Sequence, residues 1–244
     1  MMNKKIHLSI IIPAYNEEAN LSSTLKDISV YLKNKDYGYE VIVVDDGSDD
    51  QTVNIASGSK ALFSSFILIK NGENHGKGYS VKKGVQAAEG EYILFMDADN
   101  STRIDQLDKL MPALNEGYDV ALASRRVPGA EVESSQPLHR IVMGNIYIIL
   151  SRLLLGSTVK DYNCGFKLYK KDAAKLLFSF LTRSDWSFDA ELIFLISKFG
   201  LKAKEVPVKW VDKRTSKVRP LQDGIKSFLS LIKIKHQDMH RLYD

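Results

Sequence analysis

The sequence predicts an α/β protein built on a mostly parallel central sheet flanked by helices, and three observations lead there. Five short apolar runs, "HLSIIIPA" (7–14), "YEVIVVDD" (39–46), "SSFILIK" (64–70), "EYILFMD" (91–97) and "DVALAS" (119–124), read as strands buried on both faces. Helical apolar spacing fills the gaps between them, and strand–helix alternation to about residue 124 implies a parallel sheet with right-handed crossovers. Each run also ends in a polar cluster, and such sheets bind ligands outside the carboxyl ends of their strands.

Strand one delivers "PAYNEE"; Asn16 is the expected N-cap of a helix in which Leu21, Leu25, Ile28 and Leu32 recur at helical spacing. Strand two delivers "DDGSDD", with Ser48 or Asp49 opening the next helix. Strand three delivers "NGENHGKG" and strand four "DADNS", after which Thr102 is expected to cap a helix carrying Leu107, Leu110, Met111 and Leu114. Strand five delivers "SRR". Turn chemistry explains any one of these clusters. Five at one edge mark a site.

The 244 residues, 44% hydrophobic and 26% charged, are ordinary globular composition without repeats or low-complexity linkers, so one continuous unit with a C-terminal elaboration is expected. The single cysteine, Cys164, excludes an intramolecular disulfide, fits a reducing cytoplasm, and reads as a small buried side chain. The chain total is +4, yet residues 213–244 hold eight Lys/Arg against three Asp/Glu, so the tail suits an anionic partner. The opening "MMNKKIHLSIIIPAY" reads as a strand rather than a signal peptide. The longest uncharged stretch, 141–151, falls short of the about 20 residues a spanning helix needs.

Asp97 and Asp99, one residue apart at a strand end, can share a hard divalent cation with substrate phosphates. An Asx-turn, with Asp99 or Ser101 capping a helix, explains that pair equally well when it stands alone. Asp45 and Asp46 can accept the imide N–H of a pyrimidine base, and they too can be a turn and a cap. Gly76 and Gly78 permit close backbone approach and Lys77 can meet a phosphate, though the spacing is not that of a Walker P-loop.

In this order, "IIPAYNEE", "VIVVDDGSDD", "NHGKGYSVKKG" and "YILFMDAD" resemble the N-terminal half of family 2 glycosyltransferases. The later "ASRR", "KDYNCGFKLYK", "DWSFDAEL" and "VPVKWVDKRTSKVRP" look like those of dolichyl- and polyprenyl-phosphate β-glucosyltransferases. The resemblance covers about residues 7–235. It implies a GT-A (Rossmann-like) catalytic domain over 1–212 and a basic amphipathic extension over 213–244 packed on it, with C-terminal interfacial helices. It assigns Pro13, Tyr15, Glu17, Asp45, Asp46, Lys77 and Asp97 to the nucleotide, and Asp97 and Asp99 to Mg2+ or Mn2+. Asp97, Asp99 and Asp189 are its catalytic candidates, Asp189 as a positioning group. Arg125, Arg140, Lys167 and Lys217 are the candidates for an acceptor phosphate, which is already ionised and needs charge neutralisation more than a base.

The activity implied is inverting transfer of a hexose, glucose from UDP-glucose, to a polyprenyl phosphate by an enzyme peripheral on the cytoplasmic membrane face. Mannose from GDP-mannose, or a saccharide hydroxyl as acceptor, is the alternative. The partners implied are the nucleotide sugar, the lipid phosphate and a membrane surface, with no nucleic acid. Two segments suit the lipid, or packing on the sheet or on a second copy of the chain: "LHRIVMGNIYIILSRLLLG", and a helix aligning Leu221, Ile225, Phe228, Leu229 and Ile232. A nucleotidyltransferase is disfavoured because "PAYNEEAN" has no glycine.

Overall fold

A computed structural model describes residues 5–133, 138–212, 220–240 and 242–243, without the side chains of 138–143 and 220–227. The five anticipated strands are β1 (Ile6–Ala14), β2 (Gly38–Asp45), β3 (Phe66–Lys70), β4 (Tyr92–Met96) and β5 (Val120–Ser124). Four further strands are β6 (Glu131–Glu133), β7 (Phe166–Lys170), β8 (Ala203–Pro207) and β9 (Lys209–Val211). The main sheet runs β3-β2-β1-β4-β7-β5-β8, and β6 pairs with β9 in a separate ribbon. Strand β7 is antiparallel to both β4 and β5. Two reversals restore direction, so β5 opens on the same edge as β1, β2 and β4.

The helices are α1 (Leu21–Lys33), α2 (Thr52–Gly58), α3 (Lys77–Ala87), α4 (Leu107–Asn115), α5 (Leu138–Leu155), α6 (Lys171–Phe180), α7 (Phe188–Lys198) and α8 (Pro220–Met239). On one face of the sheet Ile10, Ile12, Val41, Val43, Leu94 and Met96 pack against Leu25 and Ile28 of α1 and Leu110 of α4. On the other, Ile11, Ile42, Val44, Ile93 and Phe95 pack against Val81 and Val85 of α3, α6, α7, and Leu231 and Ile234 of α8. The strict alternation along β1 is why its run is apolar throughout. Burying one such side chain contributes about 1.5–3 kcal/mol. Packing of α3 on β1 is close: a Cβ at Gly84 would lie 2.3 Å from Ile11 Cγ2.

Two caps differ from expectation. Helix α1 starts at Leu21, with Asn20 at its N-cap. Asn16 instead adopts φ +53° and ties its turn to the next loop, its Oδ1 accepting from the Asp49 N–H at 3.0 Å and its N–H donating to Ser48 Oγ at 3.0 Å. Thr102 does not cap α4, because a 3-10 turn (Ile104–Gln106) intervenes; its hydroxyl lies 3.8 Å from Cys164 Sγ. Among the described residues no helix is long and apolar enough to cross a membrane.

Candidate active site

The strand order reverses around β1, with β2 and β3 on one side and β4 on the other, so a crevice opens at the carboxyl ends of these strands. Asp97 leaves the end of β4, and its Oδ1 lies 2.6 Å from Lys77 Nζ at the first residue of α3. Burial alone would push the Lys77 ammonium down, but Asp97, Asp189 and Asp99 outweigh it and hold it above the ordinary lysine value. Lys77 Nζ sits 4.8 Å from the Trp186 ring centroid and 5.3 Å from that of Phe95.

Asp99 accepts the Ser101 N–H at 2.9 Å, so the Asx-turn read from the sequence exists alongside the carboxylate pair. Burial and then the Asp97 charge raise the Asp99 carboxyl above the usual carboxylate range, with Ser101 and Lys77 opposing. A like-charge pair of hard oxygens is a fit for a divalent cation. Among the described residues no third His, Cys, Asp or Glu joins them, so oxygens from a substrate would have to complete the shell.

Strand β7 explains "CGFK". Because it is antiparallel, its N-terminal end meets the C-terminal end of β4, Phe166 opposite Met96. Gly165 C=O accepts the Asp97 N–H at 2.9 Å, and a Cβ on Gly165 would lie 1.9 Å from Asp97 Oδ2. Only glycine leaves room for that carboxylate. Cys164 is buried, and burial pushes its thiol up to about 12. Phe166 enters the core. Lys167 is 1% exposed and ion-pairs with Asp189, which leads α7. Burial pushes Asp189 up, with Lys167 and Lys77 opposing.

Arg125, just past β5, donates to Asp161 through Nε and Nη2, both at 2.7 Å, and its backbone N–H donates to the same carboxylate at 2.9 Å. Its guanidinium carbon lies 5.1 Å from the Trp210 ring centroid. Arg125 outweighs burial and holds Asp161 below the usual carboxylate range.

Asp45 and Asp46 divide their work. Asp46 accepts from Asn71 Nδ2 (2.8 Å), His75 N–H (3.2 Å), Gly76 N–H (2.8 Å) and Ser80 Oγ (2.9 Å), so it holds the "NHGKGYS" loop in place. Asp45 Oδ2 accepts the Gly47 and Ser48 N–H groups at 3.2 and 3.3 Å. Among the described residues its Oδ1 is buried without a hydrogen-bond partner, which leaves an acceptor able to take a ligand donor. The glycines of "HGKG" admit neighbouring chain: added Cβ atoms would lie 2.5 Å from Ser184 O at Gly76 and 2.6 Å from Arg183 O at Gly78.

Pro13 is buried in β1, Tyr15 is 40% exposed at its end, and Glu17 lies in the following turn, accepting from Asn20 Nδ2 at 2.9 Å. Arg140 lies in α5 with its side chain outside the described residues, the side chains of Leu221 and Ile225 are likewise outside them, and so is the whole of Lys217. The structure thus brings Asp97, Asp99, Lys77, Asp189 and Lys167 together, and adds Asp161, Gly165, Trp186 and Trp210. Asp161 and Gly165 stand in "KDYNCGFK" and Trp186 in "DWSFDAEL", so their motifs were visible and their partners were not.

Residues 9–178 match the model of glycosyl transferase family 2. The chain is 32% identical over 243 residues to a dolichyl-phosphate beta-glucosyltransferase of Dictyostelium discoideum, covering 94% of this chain and 74% of that protein. It is 35% identical over 228 residues to one of Drosophila melanogaster, covering 88% and 70%. Among solved structures, glucosyl-3-phosphoglycerate synthase from Mycobacterium tuberculosis, in complex with Mn2+, UDP-glucose and phosphoglyceric acid, superposes with TM-score 0.71 at 20% identity, covering 95% of this chain and 80% of that one. Mannosyl-3-phosphoglycerate synthase from Rubrobacter xylanophilus gives TM-score 0.72 at 16% identity, covering 97% and 74%. At these identities the likeness shows the fold, which is the GT-A fold anticipated above.

Proposed function

Because the chain belongs to glycosyl transferase family 2, we propose that this glycosyltransferase moves glucose from UDP-glucose to a dolichyl or polyprenyl phosphate, inverting the anomeric carbon. The observation that carries this reading is the meeting of Lys77, Asp97 and Asp99 at the end of β4, with Arg125 past the end of β5, one strand removed across β7. Relatives that are dolichyl-phosphate beta-glucosyltransferases support the sugar and the acceptor.

The unpartnered Asp45 Oδ1 receives the base N–H, beside Pro13, Tyr15 and Glu17. Lys77 meets the diphosphate, and Asp97 and Asp99 would hold Mg2+ or Mn2+, which would supply charge neutralisation for the departing diphosphate. An acceptor phosphate oxygen bonds to the anomeric carbon while its bond to the diphosphate breaks and UDP leaves. No strong base is required, which suits a buried Asp189 held by Lys167 as a positioning group rather than a proton acceptor. Arg125 faces the acceptor phosphate with its fork set by Asp161.

Exposed Ile146, Ile149 and Leu153 on α5 and Phe228, Leu229 and Ile232 on α8 supply an apolar face for the lipid surface on the cytoplasmic side, with Arg152 and Lys233 beside them. Leu231 and Ile234 point the other way, into the core, which supports reading the C-terminal extension, in its described part from α8 onward, as packed on the catalytic domain.

Labelled UDP-glucose given to the protein with polyprenyl phosphate should yield organic-soluble label. Asp97→Ala or Asp99→Ala, or chelation of the metal, should lower that yield by about 100-fold or more without unfolding the chain. Label appearing only on an added oligosaccharide, or only from GDP-mannose, would overturn the reading.

A further inference from the structure

Glu191 is fully buried in the first turn of α7, two residues beyond Asp189. Its carboxylate accepts the Thr182 N–H (3.0 Å), the Thr182 hydroxyl (2.6 Å), the Arg183 N–H (2.7 Å) and the Tyr243 hydroxyl (2.6 Å). Tyr243 lies beyond α8 and is 1% exposed, its ring centroid 5.7 Å from that of Phe194. Residues 181–187 connect α6 to α7 without regular structure, so these bonds set the course of the connection.

That course matters at the donor site. The next carbonyl along, Ser184 C=O, accepts the Gly78 N–H at 2.7 Å and the Tyr79 N–H at 3.4 Å, which are orphan donors of the first turn of α3. Lys77 opens that turn, between two glycines whose missing Cβ atoms make the approach possible. Two residues on, Trp186 lies over the Lys77 ammonium.

We propose that Glu191 and Tyr243 are positioning residues for the donor, fixing the 182–186 segment so that Ser184 and Trp186 set Lys77 against Asp97. The C-terminal end of the chain thereby takes part in shaping the nucleotide-sugar site. This rests on reading Lys77 as the group that meets the donor diphosphate.

Glu191→Gln keeps the volume but turns an amide donor toward the Thr182 and Arg183 N–H groups, and Tyr243→Phe removes only the hydroxyl. Glu40→Gln is the control. Glu40 is another buried carboxylate, latching Ser9 and the Glu89 N–H at the opposite edge of the sheet. The donor KM should rise about tenfold in Glu191→Gln and a few-fold in Tyr243→Phe, with the acceptor KM unchanged. In a Trp210→Phe background used only for fluorescence, acrylamide should quench Trp186 more readily in both variants. Glu40→Gln should lower the melting temperature and move neither readout. If Glu191→Gln and Tyr243→Phe behave as Glu40→Gln does, the proposal is overturned. If the wild type turns over no UDP-glucose, the donor assignment alone fails, and the quenching comparison still decides the positioning.

Discussion

Asp161 grips Arg125 at both ends of its carboxylate, Oδ2 on Nε and Oδ1 on Nη2, each at 2.7 Å. Asp161 is 1% exposed, so the pair stands largely out of water. Removing one partner from such a pair costs about 3–5 kcal/mol, because the other charge is left buried. Asp161→Asn should therefore lower the melting temperature by several degrees. Arg125→Lys, which keeps the charge and loses the fork, should raise the acceptor KM about tenfold with the donor KM unchanged. An unchanged acceptor KM would remove Arg125 from the acceptor site.

The same pair sets an acid limit. Arg125 depresses the folded-state pKa of Asp161, so the stabilisation is complete above the ordinary carboxylate value of about 4 and is lost as pH falls toward the lower folded value. Melting curves of wild type and Asp161→Asn should converge below about pH 4 and stay apart at pH 7. A gap that does not narrow in acid would deny the pair that role.

Gly165→Ala tests the seat of Asp97. The new methyl would lie 1.9 Å from Asp97 Oδ2, well inside contact distance, and the carboxylate must move. Turnover should drop about 100-fold while circular dichroism stays native, since a displacement of about 1 Å in a positioned group is enough for that loss. Wild-type turnover would show that Asp97 can shift freely.

Cys164 should be silent to thiol reagents. It is buried, and its thiol is pushed up to about 12. At pH 8 the native protein should react with a disulfide reagent about a thousandfold more slowly than a free thiol, recovering the full rate in guanidinium. Fast reaction of native protein would mean that the segment ahead of β7 opens.

Leu229→Glu combined with Ile232→Glu places two charges on the exposed face of α8. Sedimentation with anionic phosphatidylglycerol vesicles should decrease about tenfold or more, while transfer to a short, water-soluble polyprenyl phosphate persists. Equal loss of both would make the face part of the folded core.

Much of the donor half was legible because its signals are local. Five apolar runs followed by polar clusters located β1 to β5, and Asp45, Lys77, Asp97 and Asp99 all stand at the predicted edge. Caps were less legible: Asn16 and Thr102 are good capping types, yet long-range partners took their side chains, the Asp49 N–H donating to Asn16 Oδ1 and Cys164 Sγ lying against the Thr102 hydroxyl. The acceptor half was read as motifs without geometry. Nothing local in "FKLYK" reveals that it inserts antiparallel between β4 and β5, and that insertion seats Gly165 on Asp97 and turns Lys167 inward to Asp189. Nor does anything local in "DDGSDD" reveal the partners that Asp46 finds on the 71–80 loop.

The antiparallel insertion also orders events during synthesis. When β4 leaves the ribosome its Tyr92–Met96 edge has no partner on the side away from β1, and β7 follows roughly 70 residues later. Until then an apolar strand edge next to an acidic turn must wait, the kind of edge that recruits foreign strands. Slow closure of this long-range pairing makes the nascent chain most vulnerable to aggregation between β4 and β7. Truncation before residue 166 would leave that edge open for good.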